Sequence, residues 1–169
     1  HHLEGGTFPI PAAKLGRVAR LTGTDGIQKM SKSLGNAIFL YDDEKTVQKK
    51  INKITVLPDA ATGLVPQSHV LLQYCDAFLP EARAKEIRAM YAAGGEIMHG
   101  HIKAELGAAV NTLLNPMRQR RATLETPEGE ARVLEVIRQG VRKANSVAEE
   151  TLALAKKAMK LDFVSRSIH

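Results

Sequence analysis

The chain has 169 residues, which is enough for one ordinary domain or for one domain and a fragment of another. A single Cys excludes a disulfide framework and a cysteine-based zinc site, and the net charge of +6 favours polyanionic partners such as nucleic acid or nucleotides. No apolar run approaches the ~18 residues of a membrane span and no signal peptide is visible, so we expect a cytoplasmic protein.

Residues 7–41 are predicted to form a short α/β segment that follows a tag-like start. His1-His2-Leu3-Glu4 is typical of the end of an affinity tag, so residues 1–6 are interpreted as a tag or junction. Residues 16–21 alternate apolar and basic side chains and predict a short strand. Residues 37–41 form an apolar run that is short enough for a second strand or for a packed connector.

Between these two segments lies a loop that concentrates cations and hydroxyls. The string Lys29-Met30-Ser31-Lys32-Ser33 runs directly into Leu34-Gly35-Asn36, and Gly23 and Gly26 precede it. Glycine lets such a segment move and approach a ligand closely, while Lys charges and Ser hydroxyls suit a polyphosphate. A solvated basic turn is the alternative for an arbitrary string of this kind. The complete string after a Gly-rich turn is far more specific.

Residues 42–95 are predicted to contain three helices. The first covers about 43–54, with Asp42 or Asp43 as its N-cap and apolar residues on one face. Its other faces carry Lys45, Lys49, Lys50 and Lys53, for which a solubilising surface is the simplest interpretation. Ser68 is expected to cap the second helix, and the third is expected to begin at Pro80 and to end at Gly94-Gly95.

The remaining residues predict further helices. One covers about 101–114 and should be broken by Pro116, after which a short helix carries three arginines. Residues 127–161 form one long helix or two, with Gly140 and Asn145-Ser146 as possible kinks and a nearly continuous apolar stripe. His99 and His101 are a weak metal pair without accompanying carboxylates or thiols, so no metal site is predicted.

The loop and several distant motifs together resemble tryptophanyl-tRNA synthetases, a family of class I aminoacyl-tRNA synthetases. The motifs are Arg17-Val18 before the loop, residues 29–36 within it, Tyr74-Cys75-Asp76-Ala77-Phe78, Lys103-Ala104-Glu105-Leu106 and residues 114–121. The resemblance spans about residue 8 to the C-terminus. It implies a mainly α fold in which residues 7–41 end a Rossmann-type catalytic domain and residues 42–169 form a helical domain on the anticodon side of tRNA.

The resemblance also implies the chemistry. A tryptophan–tRNA ligase uses ATP, accompanied by Mg²⁺, to form tryptophanyl-adenylate and then acylates tRNA(Trp). By the family pattern Lys29 and Lys32 are catalytic and contact the leaving pyrophosphate, with Ser31 and Ser33 as further donors. Met30 belongs to the same ATP site but is expected to pack the loop against the fold, and Val18 would meet the adenine. Enzymes of this family are homodimers.

The basic residues of the helical domain are candidates for tRNA contact. They are Lys103, Arg118, Arg120 and Arg121. Phosphate contacts of this kind raise affinity without reading sequence. Intraprotein salt bridges or helix C-terminal caps are an equally weighted alternative.

The sequence lacks one signature of the family. The His-x-Gly-His-like signature and the tryptophan pocket that accompany the loop in this family are not found in these residues, and His99-Gly100-His101 lies too far downstream to replace them. We therefore expect the isolated chain to be catalytically incomplete. A non-catalytic basic module that binds tRNA or a synthetase partner is the alternative, and a purely structural helical unit is a third possibility.

Overall fold

The computed structural model describes residues 8–16, 18 and 20–161, and these residues are mainly helical. Five α-helices follow one another along the chain, and they are α1 (Glu44–Asn52), α2 (Val70–Phe78), α3 (Glu81–Ala93), α4 (His99–Ala122) and α5 (Pro127–Ala158). Residues 14–121 form one compact unit, and the other described residues, 8–13 and 122–161, are grouped in a second unit.

The α/β segment predicted for residues 7–41 is not shown by the structure. Among the described residues the strand-type pairing is a single antiparallel bridge between Thr22 and Lys29. The described residues of 16–21 lie outside any strand, while the tag-like residues 1–6, Arg17 and Ala19 lie outside the described residues. Residues 37–41 form no strand and are a connector. The connector is packed at its start, where Ala37 is buried and Ile38 contacts the core.

The core of residues 14–121 is built from the apolar faces of α1 to α4. Each helix contributes side chains that are nearly or completely buried, among them Val47 and Ile51, Leu71, Tyr74 and Cys75, Ile87 and Tyr91, and Leu106 and Val110. Ion pairs connect neighbouring helices at the rim of this core: Arg88 of α3 with Asp76 of α2, and Arg83 of α3 with Glu105 of α4. The apolar face predicted for the first helix is confirmed, because Val47 and Ile51 are fully buried.

The helix termini follow ordinary capping rules, with two corrections to the sequence expectations. Of the two caps that the sequence offered for α1, Asp43 is the one used, and it accepts from the Thr46 amide. The α2 cap is His69 rather than Ser68, because the His69 Nδ1 accepts from the Leu71 amide at 3.1 Å. Pro80 is the N-cap of α3 and lies just outside the helix, and Gly94 ends that helix at a φ of 73°.

Pro116 does not break α4, contrary to the sequence expectation. Proline removes one helical N–H donor, but this proline is exposed on a 24-residue helix. The Arg118 guanidinium donates to Asn115 Oδ1 at 2.8 Å and to Asn111 Oδ1 at 2.8 Å. One side chain therefore joins the turns on both sides of the proline, and the arginines predicted on a separate short helix belong to α4.

Helix α5 is one continuous helix, uninterrupted by Gly140 or by Asn145-Ser146. Thr126 caps it, Pro127 occupies its first turn, and Gly129 is its only buried residue among those described. The apolar stripe predicted for this segment exists in sequence but its side chains are exposed, for example Ile137 at 55% and Val141 at 53%. None of the described helices is long and apolar enough to cross a membrane.

Candidate functional site

A tight turn brings the two ends of residues 21–30 together. The Thr22–Lys29 bridge closes the segment, the Gly23 amide donates to the Gln28 carbonyl at 2.7 Å, and Gly26 adopts a φ of 73° that favours glycine. Asp25 Oδ1 accepts from the amide of Ile27 at 3.0 Å. This hydrogen bond, and a further one from the Asn36 amide, lower the pKa of Asp25 below its usual range.

Residues 29–36, here called the signature loop, fold back on that turn through the buried side chain of Asn36. Asn36 is only 3% exposed. Its Oδ1 accepts from the Ser31 amide at 2.8 Å, and its Nδ2 donates to Asp25 Oδ2 at 2.8 Å and to the Lys29 carbonyl at 3.3 Å. Its own carbonyl accepts from the Thr24 amide at 2.9 Å. One amide group therefore joins three separate points of the loop and turn.

The signature loop separates its apolar residue from its cations. Met30 packs against the core of residues 14–121, whereas Lys29 and Lys32 are exposed. The hydroxyls of Ser31 and Ser33 lie 3.0 Å apart, in hydrogen-bonding distance of each other. Met30 thus lies where the sequence predicted, between two cations that face solvent.

Helix α2 fixes the start of the turn. The Tyr74 hydroxyl donates to the Thr22 carbonyl at 2.9 Å, and the Thr22 hydroxyl donates to Gln73 Oε1 at 3.0 Å. Tyr74 is fully buried, and this burial raises the pKa of its phenol well above the usual value. The hydroxyl therefore remains a neutral donor, and the signature loop is tied to the helical core rather than attached by its ends alone.

The four residues proposed from the sequence to contact tRNA occupy different environments. Arg118 is engaged by protein groups, since its Nε also donates to the Asp42 carbonyl at 2.7 Å. Lys103 Nζ donates to the Asn52 carbonyl at 3.1 Å, and burial lowers its pKa. Arg120 is exposed, and the exposed Arg121 lies over the Tyr41 ring at 5.6 Å from its centre. For Arg118 the structure thus shows an intraprotein role of the kind left open by the sequence.

A second basic surface lies on α1. Lys45 and Lys49 are exposed at four-residue spacing on this helix, Lys53 continues the row at its C-cap, and all three line a shallow groove with Gln48 and Asn52. Lys50 differs, because it pairs with the buried Asp42 at 2.5 Å. The solubilising interpretation of the α1 lysines is therefore incorrect for Lys50, which has a defined structural partner.

Three further residues singled out from the sequence, Val18, His99 and His101, lie outside the signature loop. Val18 is partly buried, and its neighbours in sequence, Arg17 and Ala19, lie outside the described residues. The His99 ring hydrogen-bonds the Tyr91 hydroxyl at 2.7 Å, while His101 is exposed. Across residues 8–16, 18 and 20–161, no group of three or more His, Cys, Asp or Glu side chains could hold a metal ion.

Three residues of this arrangement were not identified as functional candidates from the sequence. They are Asp25, Asn36 and Tyr74. Asn36 ends the string that carried the resemblance, and Tyr74 begins a family-like motif. Both residues were therefore noticed in the sequence, but no contact was predicted for either. The contacts depend on residues distant in sequence, which spacing alone does not reveal.

The chain matches the family model described as tRNA synthetases class I (W and Y) over residues 3–115. It therefore belongs to this family of class I synthetases for tryptophan and tyrosine.

Two of its relatives are named tryptophan–tRNA ligases. It is 40% identical to the tryptophan–tRNA ligase of Treponema pallidum over 95% of this chain and 48% of that protein. Identity to the tryptophan–tRNA ligase of Lactococcus lactis is 36% over 85% of this chain and 43% of that protein. The chain thus spans about half the length of the curated relatives it matches.

The fold is similar to that of solved tryptophanyl-tRNA synthetases. The Campylobacter jejuni enzyme complexed with ADP and tryptophan superposes with a TM-score of 0.61 at 31% identity, over 85% of this chain and 44% of that one. A second structure of the C. jejuni enzyme gives a TM-score of 0.58 at 29% identity, over 93% of this chain and 48% of the other.

Proposed function

We propose that this chain supplies the signature loop and the helical domain of a tryptophan–tRNA ligase. The observation that supports this most directly is the signature loop itself, where Lys29 and Lys32 are exposed while Met30 and Asn36 fix the backbone between and behind them. The name shared by the relatives supports the tryptophan specificity.

In this proposal the loop acts on the pyrophosphate that leaves when tryptophan attacks the α-phosphorus of ATP. Negative charge grows on the phosphate oxygens in the transition state, and Lys29 and Lys32 stabilise it there. Ser31 and Ser33 carry hydroxyls that already lie within hydrogen-bonding distance of each other and can turn toward phosphate oxygens. Val18 would meet the adenine.

Magnesium would accompany ATP in this reaction. The signature loop offers ammonium groups and hydroxyls rather than carboxylates, so its donor set suits phosphate and not a bare cation. The ion would therefore be held mainly through phosphate oxygens. Its contribution there is to neutralise charge on the phosphates.

The loop assignment is tested by Lys32→Ala in the full-length product of the gene. We expect ATP–pyrophosphate exchange to fall by about 10²- to 10³-fold, as for the loss of one oxyanion-type donor, with tryptophan binding nearly unchanged. Lys143→Ala is the matched control, because Lys143 is exposed on α5, away from residues 14–121 in sequence. Unchanged exchange in Lys32→Ala would refute the assignment.

The helical domain is proposed to contact the anticodon side of tRNA(Trp). The candidates for this contact are Lys103, Arg118, Arg120 and Arg121, all on α4, and Arg120 and Arg121 are the exposed ones among them. The exposed α1 lysines add further positive charge. Homodimerisation and a cytoplasmic location accompany this proposed role.

Binding of tRNA by the isolated chain, followed as a function of salt, tests this second part. Arg120→Ala with Arg121→Ala should reduce the slope of log K against log salt by roughly 0.7–0.9 for each phosphate that the variant no longer neutralises. Lys14→Ala with Arg20→Ala, both exposed and outside the helical domain of residues 42–169, is the matched control. Salt-dependent tRNA binding together with normal ATP–pyrophosphate exchange in Lys32→Ala would favour a non-catalytic module. The absence of tRNA binding at low salt would favour a structural role.

A further inference from the structure

The backbone between the two lysines of the signature loop is fixed at both intervening residues. Met30 packs against the apolar core, and the Ser31 amide donates to Asn36 Oδ1 at 2.8 Å. The Lys29 carbonyl accepts from the same Asn36 side chain at 3.3 Å. The two exposed lysines therefore extend from a short segment of main chain that is held in two ways. The packing of Met30 holds one side, and the buried side-chain amide of Asn36 holds the other.

Asn36 in turn is held by groups outside the signature loop. Asp25 Oδ2 accepts from Asn36 Nδ2 at 2.8 Å, and Asp25 is itself oriented by the Ile27 amide. At residue 23 a Cβ would lie 2.1 Å from Asn36 Nδ2, so only glycine leaves room for the amide. The turn of residues 22–29 is thus shaped to receive this side chain.

We propose that Asn36 is a positioning residue that sets the directions of Lys29 and Lys32 for the transition state of ATP cleavage. This inference depends on the proposed role of the signature loop, but it assigns to Asn36 a function of its own. Asn36 touches neither ATP nor pyrophosphate in this proposal, and it acts only through the Lys29 carbonyl and the Ser31 amide.

The physical reason is preorganisation. A cation stabilises a transition state efficiently only when it is already in place as charge develops, because reorganisation during the reaction would raise the barrier. Two flexible lysine side chains on a free loop would sample many directions. Fixing the main chain at residues 29–31 removes part of that freedom before ATP arrives, so the benefit appears in the reaction step rather than in the binding of ATP.

The first test is Asn36→Ala in the full-length gene product. The substitution removes both the acceptor for Ser31 and the donor for Lys29. We expect kcat for ATP–pyrophosphate exchange to fall about 10- to 100-fold while KM for ATP changes less than about threefold. Asn145→Ala, on the exposed surface of α5, is the matched control and should leave both constants unchanged. A large rise in KM together with falls in kcat and Tm would contradict the proposal, because a merely structural role predicts a general loss.

A second variant keeps the test decisive if Asn36→Ala fails to fold. Asn36→Asp retains the acceptor for Ser31 but places a carboxylate against Asp25 Oδ2, so kcat should fall strongly. Adding Asp25→Asn exchanges donor and acceptor between the two positions, restores their hydrogen bond and leaves only Lys29 without its donor. We expect the double variant to recover at least about tenfold of the kcat lost by Asn36→Asp. A double variant no better than Asn36→Asp would overturn the proposal.

Amide hydrogen exchange of the isolated chain provides a measurement that requires no catalysis. The Ser31 amide should be protected in the wild type and should lose this protection in Asn36→Ala, while amides of α1 keep theirs. An unprotected Ser31 amide in the wild type would overturn the proposal.

These outcomes are distinct from a failure of the proposed function. If Lys32→Ala leaves exchange unchanged, the role of the loop itself is wrong. If Lys32→Ala abolishes exchange and Asn36→Ala does not alter kcat, the role of the loop stands and the positioning by Asn36 is wrong.

Discussion

Residues 14–121 and helix α5 use similar apolar residues in opposite ways. In residues 14–121 the isoleucines of α1 and α3 are fully buried, as Ile51 and Ile87 show. In α5 the corresponding side chain of Ile137 is 55% exposed, although it lies on an equally regular apolar stripe. Apolar periodicity therefore predicts a helix in both regions. Only in residues 14–121 are the apolar side chains of the helices buried against one another.

The largest expected effect comes from truncating one isoleucine in each region. Ile51→Ala leaves a cavity among fully buried side chains and should lower the free energy of unfolding by about 2–5 kcal/mol. Ile137→Ala on α5 should change it by less than about 0.5 kcal/mol, because this side chain is already exposed. Urea denaturation of the two variants measures both values. Equal losses would show that α5 is packed as tightly as α1.

Lowering the pH should reduce the free energy of unfolding by a smaller amount, through His69 in residues 14–121. The neutral His69 caps α2 through Nδ1 and donates through Nε2 to the Thr55 carbonyl at 3.1 Å. Burial lowers the pKa of His69 below its usual value, with further contributions from His99 and Lys103. The folded state therefore binds this proton less readily than the unfolded state.

The sign of the pH dependence follows from that difference. The stabilising contribution of His69 is complete above its unfolded pKa, near 6.5, and is lost as the pH falls through the folded pKa. Protonation removes the Nδ1 acceptor, so the loss should be about 1 kcal/mol at most, the usual value of a helix N-cap. His69→Asn keeps a capping oxygen without a titrating group, and it should flatten the dependence of urea midpoints on pH between about 5 and 7. An unchanged slope would exclude His69 as its source.

The smallest effect concerns a glycine within α5. Gly140 lies in the middle of this helix, and a Cβ placed on it would meet no atom within 4 Å. Gly140→Ala should therefore stabilise the helix by about 0.5–1 kcal/mol. Gly94→Ala is the contrasting change in residues 14–121, because Gly94 has a φ of 73° and its Cβ would lie 2.7 Å from Leu64. It should destabilise the protein, and thermal melts compare the two directly.

Much of the helical architecture could be predicted from the sequence because its signals are local. Apolar spacing and Asp43 located α1, and Gly94 located the end of α3. The prediction that Pro116 breaks α4 was wrong. Arg118 hydrogen-bonds Asn111 and Asn115 across the proline, and its Nε donates to the distant Asp42 carbonyl, contacts that helix propensity does not include.

The candidate site was likewise predictable only where its signals are local in sequence. Residue types and order were sufficient to single out residues 29–36, because two cations and two hydroxyls in that string are unusual. The hydrogen bonds that Asn36 donates to Asp25 and that Tyr74 donates to Thr22 were not predictable, since each joins residues that only the fold brings together. The roles of Val18, Lys103 and Arg118 remain predictions, and the salt dependence of tRNA binding would test those of Arg120 and Arg121.

The close approach of Asn36 to Gly23 has a consequence for how such sequences can diverge. A side chain at residue 23 and an amide at residue 36 would occupy the same space, since the Cβ would lie 2.1 Å from Asn36 Nδ2. Neither position can then change freely while the other is kept. In related proteins a larger residue at the position of Gly23 should be accompanied by loss of the amide at the position of Asn36. The two positions should therefore change together in evolution, although they lie thirteen positions apart along the chain.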